Sequence, residues 1–135
     1  MAATFVLRKG HGECRRFPSA GTMAINTLCQ FDEAGEVVAS ATNKDVVGIV
    51  LEAATSSTEP LVQILESGDV IEAIGVGVTI VAATVGDTVD IATGNEISLT
   101  DTNKDALVVG WDGITASRCL LTLKFLAFGT GAAKA

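Results

Sequence analysis

Three cysteines and one histidine are the side chains best suited to chemistry in this 135-residue chain, and their spacing removes most of it. Cys14, Cys29 and Cys119 are odd in number, far apart and free of any C-x-x-C pair, so neither a disulfide framework nor a thiolate zinc site is indicated. Cys29 and Cys119 stand in apolar runs, where cysteine acts as a small hydrophobe, whereas Cys14 stands among charges. His11 has no second histidine to work with and the chain has no tyrosine, so the usual nucleophile–base and acid–base pairs cannot be assembled. A hydrolytic centre would need carboxylates alone. Glu52, Glu66, Asp69 and Glu72 are the candidates, and a solvated rim is their plainer reading.

Asp101-x-Asn103-x-Asp105, with Asp112 at the twelfth position, has the spacing of a calcium loop, but Ala106 stands where that loop needs glycine for its sharp turn. Asn and Asp also build ordinary turns by bonding the local backbone, and a surface turn is expected here. Gly75-x-Gly77 lacks the third glycine of a dinucleotide loop, and the glycines of 129–134 read as tail. No catalytic, cofactor-binding or metal-binding residue is therefore expected.

The elements that carry these residues read as strands. Val, Ile and Thr abound, 14 glycines punctuate them and there are only two prolines, a mixture that favours strands and tight turns. Short β-prone runs fall at 25–31, 36–39, 46–52, 61–66, 70–74, 76–82, 88–92, 96–99, 106–111 and 119–128. Such spacing predicts an all-β domain, a compact β-sandwich or a β-barrel or tulip-like fold. The apolar fraction of 48% suffices for a core, and the longest charge-free apolar stretch, Ala73 to Gly86, is too short to cross a bilayer. No membrane partner is expected. The start turns basic after its apolar residues, the reverse of a secretory signal, which predicts synthesis in the cytoplasm.

A repeat organises the body. Thr42-Asn43-Lys44-Asp45 recurs as Thr102-Asn103-Lys104-Asp105, Glu36-Val37 matches Glu96-Ile97, Val47-Gly48-Ile49 resembles Val109-Gly110-Trp111, and Leu61 to Ile64 resembles Leu120 to Leu123. Two similar halves are predicted. Residues 1–24 read as an extended N-terminal arm, 25–128 as the β-rich domain and 129–135 as a flexible tail.

Charge separates arm from body. The net charge is −7, yet Arg8, Lys9, Arg15 and Arg16 face only Glu13 within residues 1–16. The acidic remainder would repel a phosphate backbone, so no nucleic-acid partner is expected. An arm of this kind suits an acidic protein surface. The uninterrupted apolar run Val46 to Leu51 reads as a strand covered on both faces or held in a subunit interface.

The run Val46-Val47-Gly48-Ile49-Val50-Leu51-Glu52-Ala53-Ala54, then Leu61-Val62-Gln63-Ile64 and Gly68-Asp69-Val70, and later Gly86-Asp87-Thr88-Val89-Asp90 and Val109-Gly110-Trp111, resembles the capsid decoration, or cement, proteins of tailed bacteriophages over about residues 25–126. The resemblance implies a non-enzymatic homotrimer assembled in the host cytoplasm. Its place would be the outer surface of the virion head, where it bridges capsomers of the major capsid protein. It also gives the arm a role, with Arg8, Lys9, Arg15 and Arg16 pairing with shell carboxylates and Phe5, Val6 and Leu7 adding a strand to the shell. Val47, Ile49, Leu51 and Trp111 are the candidate trimer interface. Two other readings are a biotinyl or lipoyl carrier domain modified on Lys44 or Lys104, and a virion-surface binding module. The Asn-Lys-Asp flanks of both lysines speak against a carrier, and one tryptophan with no tyrosine offers little for sugar stacking.

Overall fold

The computed structural model describes residues 3–10, 12–40, 45–92, 95–99 and 104–124. Among these described residues, eleven strands form two antiparallel sheets, and a single 3-10 turn, Ala82–Thr84, is the only helical element. The strands are β1 (Thr4–Lys9), β2 (Cys14–Arg16), β3 (Leu28–Phe31), β4 (Val37–Ala39), β5 (Val46–Val50), β6 (Leu61–Ile64), β7 (Val70–Ile74), β8 (Thr88–Ala92), β9 (Glu96–Ser98), β10 (Ala106–Gly110) and β11 (Arg118–Leu123). The larger sheet runs β1-β7-β11-β10-β8-β9 and the smaller β2-β6-β5-β3-β4. Phe5, Leu28, Ile49, Ile71, Ile91 and Leu121, drawn from both sheets, fill the space between them, so the all-β sandwich predicted from strand spacing is the fold observed.

The two halves are visible in the strand order. The series β6-β5-β3-β4 in one sheet is matched by β11-β10-β8-β9 in the other, with β2 beside β6 where β7 stands beside β11. Pairing also corrects details of the repeat. Ile49 and Val108, both in the inter-sheet core, oppose Gln63 and Leu121, so Ile49 corresponds to Val108 and not to Trp111, and Gln63 to Leu121, one residue from the match read in sequence. Val37 packs in the outer cluster of the smaller sheet while Ile97 enters the inter-sheet core, because a one-residue change of register turns a strand over.

The described residues among 1–24 include two strands that join the sheets. β1 pairs with β7 as the edge of the larger sheet, β2 pairs with β6 as the edge of the smaller, and Phe5 is fully buried. The cause is the alternation of Ala3, Phe5 and Leu7, which sends three apolar side chains to the core and Val6 and Arg8 outward. β2 is the first strand of the first half, and only β1 lacks a counterpart. The run 76–82 is likewise not a strand, since Val76 and Ile80 plug the inter-sheet core from a loop bonded to Ser117 O and Ala116 O. The tail 129–135 lies outside the described residues, as do Thr42, Asn43 and Lys44 of the first Thr-Asn-Lys-Asp repeat and Thr102 and Asn103 of the second.

β5 is covered on both faces within the single chain. Val46 and Ile49 face the inter-sheet core, whereas Val47 and Val50 join Val62, Cys29 and Val37 in a second cluster on the outer side. One extra residue makes this possible. Val47 bulges between Gly48 and Val46, which oppose the consecutive Cys29 and Gln30. The outer cluster is roofed by two loops bonded to each other through Met23 and Ala54, at 3.0 and 2.9 Å, and through Ser19 N to Thr58 O at 2.9 Å. Phe17 closes the roof edge-on against Phe31 at 5.2 Å. Val47 and Ile49, 0% and 1% exposed, are thus core residues and do not form a trimer seam; Leu51 and Trp111, half-buried, pack against the core from its margin.

Gly48 is required by the close approach of β6: a Cβ there would stand 2.0 Å from the Gln63 carbonyl oxygen. Gly48→Ala is expected to lower stability by at least about 2 kcal/mol through forced separation of the two strands, whereas Gly21→Ala, at a position open to solvent, is expected to change it little. Urea unfolding of both variants measures the difference.

Candidate functional site

Alternation decides which side chains of the larger sheet reach solvent. In β10, Ala106 and Val108 enter the core, and Leu107 and Val109 point outward with 40% exposure each. Val109 is the extra residue of a bulge opposite β11. Pairing sets Leu107 between Thr88 and Thr122, and sets Leu120 between Gly110 and Glu72, with Val6 beyond. An outward apolar patch therefore runs over interior strands, whose backbones are already paired.

The cations expected to reach a shell from the arm are largely engaged inside the chain. Arg8 Nε donates to Glu72 at 2.9 Å, and Arg118 approaches the other oxygen of the same carboxylate at 3.9 Å, tying β1, β7 and β11 together. Arg15 pairs with Glu13, and Arg16 donates to Glu52 at 2.7 Å and to the Glu59 carbonyl. Val6 and Leu7 are half-buried, and Lys9 is exposed at the end of β1. Phe5 cannot add to another sheet while it is buried here.

Two hollows lie on this face. One of about 160 Å³ is bounded by Glu72, Trp111, Asp112, Arg118, Cys119 and Leu120. The other, about 180 Å³, is bounded by Leu107, Thr122 and Thr88 with Lys104 and Lys124. Lys104 stands in the connection between β9 and β10, which are not neighbours in the sheet, so it does not occupy a hairpin tip. Its amide donates to Asp90 Oδ1 at 2.9 Å. Trp111 Nε1 donates to the Thr115 carbonyl, fixing the indole at the rim.

Among the described residues, no group of three or more His, Cys, Asp and Glu is placed to share a metal ion; Asp101 and Asn103 of the calcium-like spacing lie outside them. No described helix is long and apolar enough to cross a membrane. No protein-family model matches the chain, and no curated protein matches it. The sequence reading missed Leu107, Val109 and Leu120 as surface residues. The alternation of 119–123 was a usable signal for Leu120, but Ala106 to Val109 is apolar throughout and does not announce its outer face.

The thiols divide as their surroundings dictate. Burial pushes Cys29 up to about 12, and burial followed by the Glu72 carboxylate pushes Cys119 up to about 11, while Cys14 is exposed. An aromatic disulfide reagent at pH 8 is expected to titrate one thiol in the folded protein, Cys14, and all three after unfolding in guanidinium.

Two exposed carboxyls lie below the ordinary carboxylate range. Glu52 is held there by its bond from Arg16 and then by the Leu61 amide, and Asp112 by the amides of Thr115 and Ile114. A lowered pKa in the folded state gives stability that is fully present at neutral pH and is lost as acidification passes that pKa. Glu52→Gln with Asp112→Ala should flatten the fall of Tm between neutrality and about pH 3. An unchanged slope would assign the acid sensitivity to other groups.

Proposed function

We propose that this protein is a capsid decoration protein, a non-enzymatic homotrimer that binds the outer surface of a tailed-phage head and bridges neighbouring capsomers of the major capsid protein. The observation that carries this reading is the exposed apolar patch of Leu107 and Val109, with half-buried Leu120 beside it, on a two-half β-sandwich. A surface of that kind is suited to contact with another protein. The resemblance of residues 25–126 to decoration proteins supplies the partner. Many identical copies fasten a shell even where each contact is modest.

The basic residues act here from within the domain. Arg8 reaches the outer face of the larger sheet while remaining in β1, so a detached arm is not needed for it to meet a shell carboxylate. A carrier function is less well supported, because Lys104 does not sit at the tip of a hairpin.

Light scattering at micromolar concentration is expected to return the mass of three chains, and sedimentation with undecorated heads is expected to show binding to expanded shells and not to unexpanded ones. A monomer that ignores expanded heads would reject the reading. So would a biotinyl or lipoyl adduct on Lys44 or Lys104 in the intact mass of protein taken from cells.

A further inference from the structure

We infer that a second copy of this chain pairs through the open edge of β2, its own β2 lying antiparallel about a two-fold axis, so that the smaller sheets of two chains become one continuous sheet. The contact goes beyond the decoration reading and stands or falls without it, because a two-fold join between edges is separate from a three-fold assembly.

The smaller sheet is one strand short at this edge. By strand order β2 corresponds to β7, and β7 has β1 on its outer side, whereas no strand lies beyond β2 among the described residues. Two other edges are capped by the chain itself. In β1 the amides of Ala3 and Phe5 donate to the carbonyls of Asn95 and Asn26 at 2.9 and 3.0 Å, and β4 is closed by Val37 N to Pro18 O at 2.8 Å and Ala20 N to Val37 O at 3.1 Å. On β2, Ile64 N donates to Glu13 O at 2.7 Å and Phe17 N to Pro60 O at 3.4 Å, so the odd-numbered residues turn their backbone groups to the β6 side. Alternation points the N–H and C=O of Cys14 and Arg16 the other way, and all three residues of β2 are exposed. An uncovered edge of this kind is a template for another strand.

Charge selects the occupant and its register. Arg15 Nε donates to Glu13 Oε1 at 2.9 Å on one face of the strand. When Cys14 opposes Cys14 of the second copy, Glu13 opposes that copy's Arg15 and Arg15 opposes its Glu13. The two intrachain pairs then close into an alternating ring of four charges. The same register sets the outward backbone groups of Cys14 against their equivalents, as antiparallel pairing requires, and Gly12 brings no side chain to the place opposite Arg16. Sliding by one ladder step sets Arg15 against Arg15 in one direction and Glu13 against Glu13 in the other, and like charges directly opposite repel. Glu13-Cys14-Arg15 is therefore complementary to itself when reversed, the property an isologous contact needs. The join is small, so it is weak and fills only where chains are concentrated.

The test oxidises the full-length protein in air with copper–phenanthroline as catalyst, dioxygen taking the two electrons and two protons given up as two thiols become a disulfide. Cys14 is the exposed thiol, and opposed Cα atoms in a hydrogen-bonded antiparallel pair lie about 5.5 Å apart, within the reach of a disulfide. Wild type is expected to give pairs of chains joined through Cys14, read by intact mass. Glu13→Arg or Arg15→Glu alone is expected to lower their yield at least about tenfold at roughly 0.1 M salt. Mixing these two variants sets Arg against Glu at both positions and is expected to restore the yield as the mixed pair, which also shows that both are folded. Yields unchanged by the single variants, or no recovery in the mixture, overturn the pairing. Sedimentation equilibrium of Cys14→Ser, free of the cross-link, is expected to show a mass that rises with concentration, and a constant mass up to about 1 mM overturns it as well. Sedimentation with expanded heads reads the decoration function separately. Single variants that fail to pair yet bind heads uphold both inferences, and wild type that pairs but ignores heads rejects decoration alone.

Discussion

A strand with no polar side chain must be covered on both faces, and Val46–Val50 is such a strand at the centre of the smaller sheet. Fully burying an aliphatic side chain contributes about 1.5 to 3 kcal/mol, so leaving Val47 and Val50 in water would cost a large share of a small domain's stability. The chain answers with the inter-sheet core on one side and the paired loops around Met23 and Ala54 on the other. The Val47 bulge and Gly48 are the local adjustments that let one short strand serve both clusters.

Much of the remaining architecture follows from that requirement. The loops that roof the smaller sheet use residues 17–25, which draws β2 to the edge beside β6 and leaves β1 to join the other sheet at β7. Asn95, in a left-handed conformation at φ 61°, locks the two sheets together: its side chain accepts from the Leu28 amide at 2.6 Å and donates to the Leu28 carbonyl, while its own carbonyl accepts from Ala3. A buried side-chain amide satisfied in this way supplies the Leu28 amide with its acceptor and is itself paired.

The two halves differ in how their outer faces are finished. Repeated sequence built two sheets with the same strand order, but loops of different destination left one outer face closed and one open. Exposure of Leu107 and Val109 costs little by itself, since single apolar side chains on a surface are ordinary. The thiols add no chemistry in the folded core, where burial keeps Cys29 and Cys119 protonated.

Fold class, most strand positions and the existence of two halves were legible in the residues, because turn glycines, β-branched runs and a repeated tetrapeptide are local signals. The side on which each strand faces was not. Val37 and Ile97 look equivalent in sequence and point into different clusters, since a shift of one residue reverses a strand. The segment 1–16 reads as a basic arm because its charges are contiguous, yet Phe5 finds its place only against Ala73, far along the chain. Arg8, Lys104, Arg118 and Lys124 are scattered in the chain and share one face only after β1, β7, β11 and β10 have paired. Composition and periodicity are properties of neighbours in sequence, and they determined that this protein is a two-half β-domain. Which apolar face stays open, and which charges border it, depends on pairings between distant strands and was decided by the tertiary structure alone.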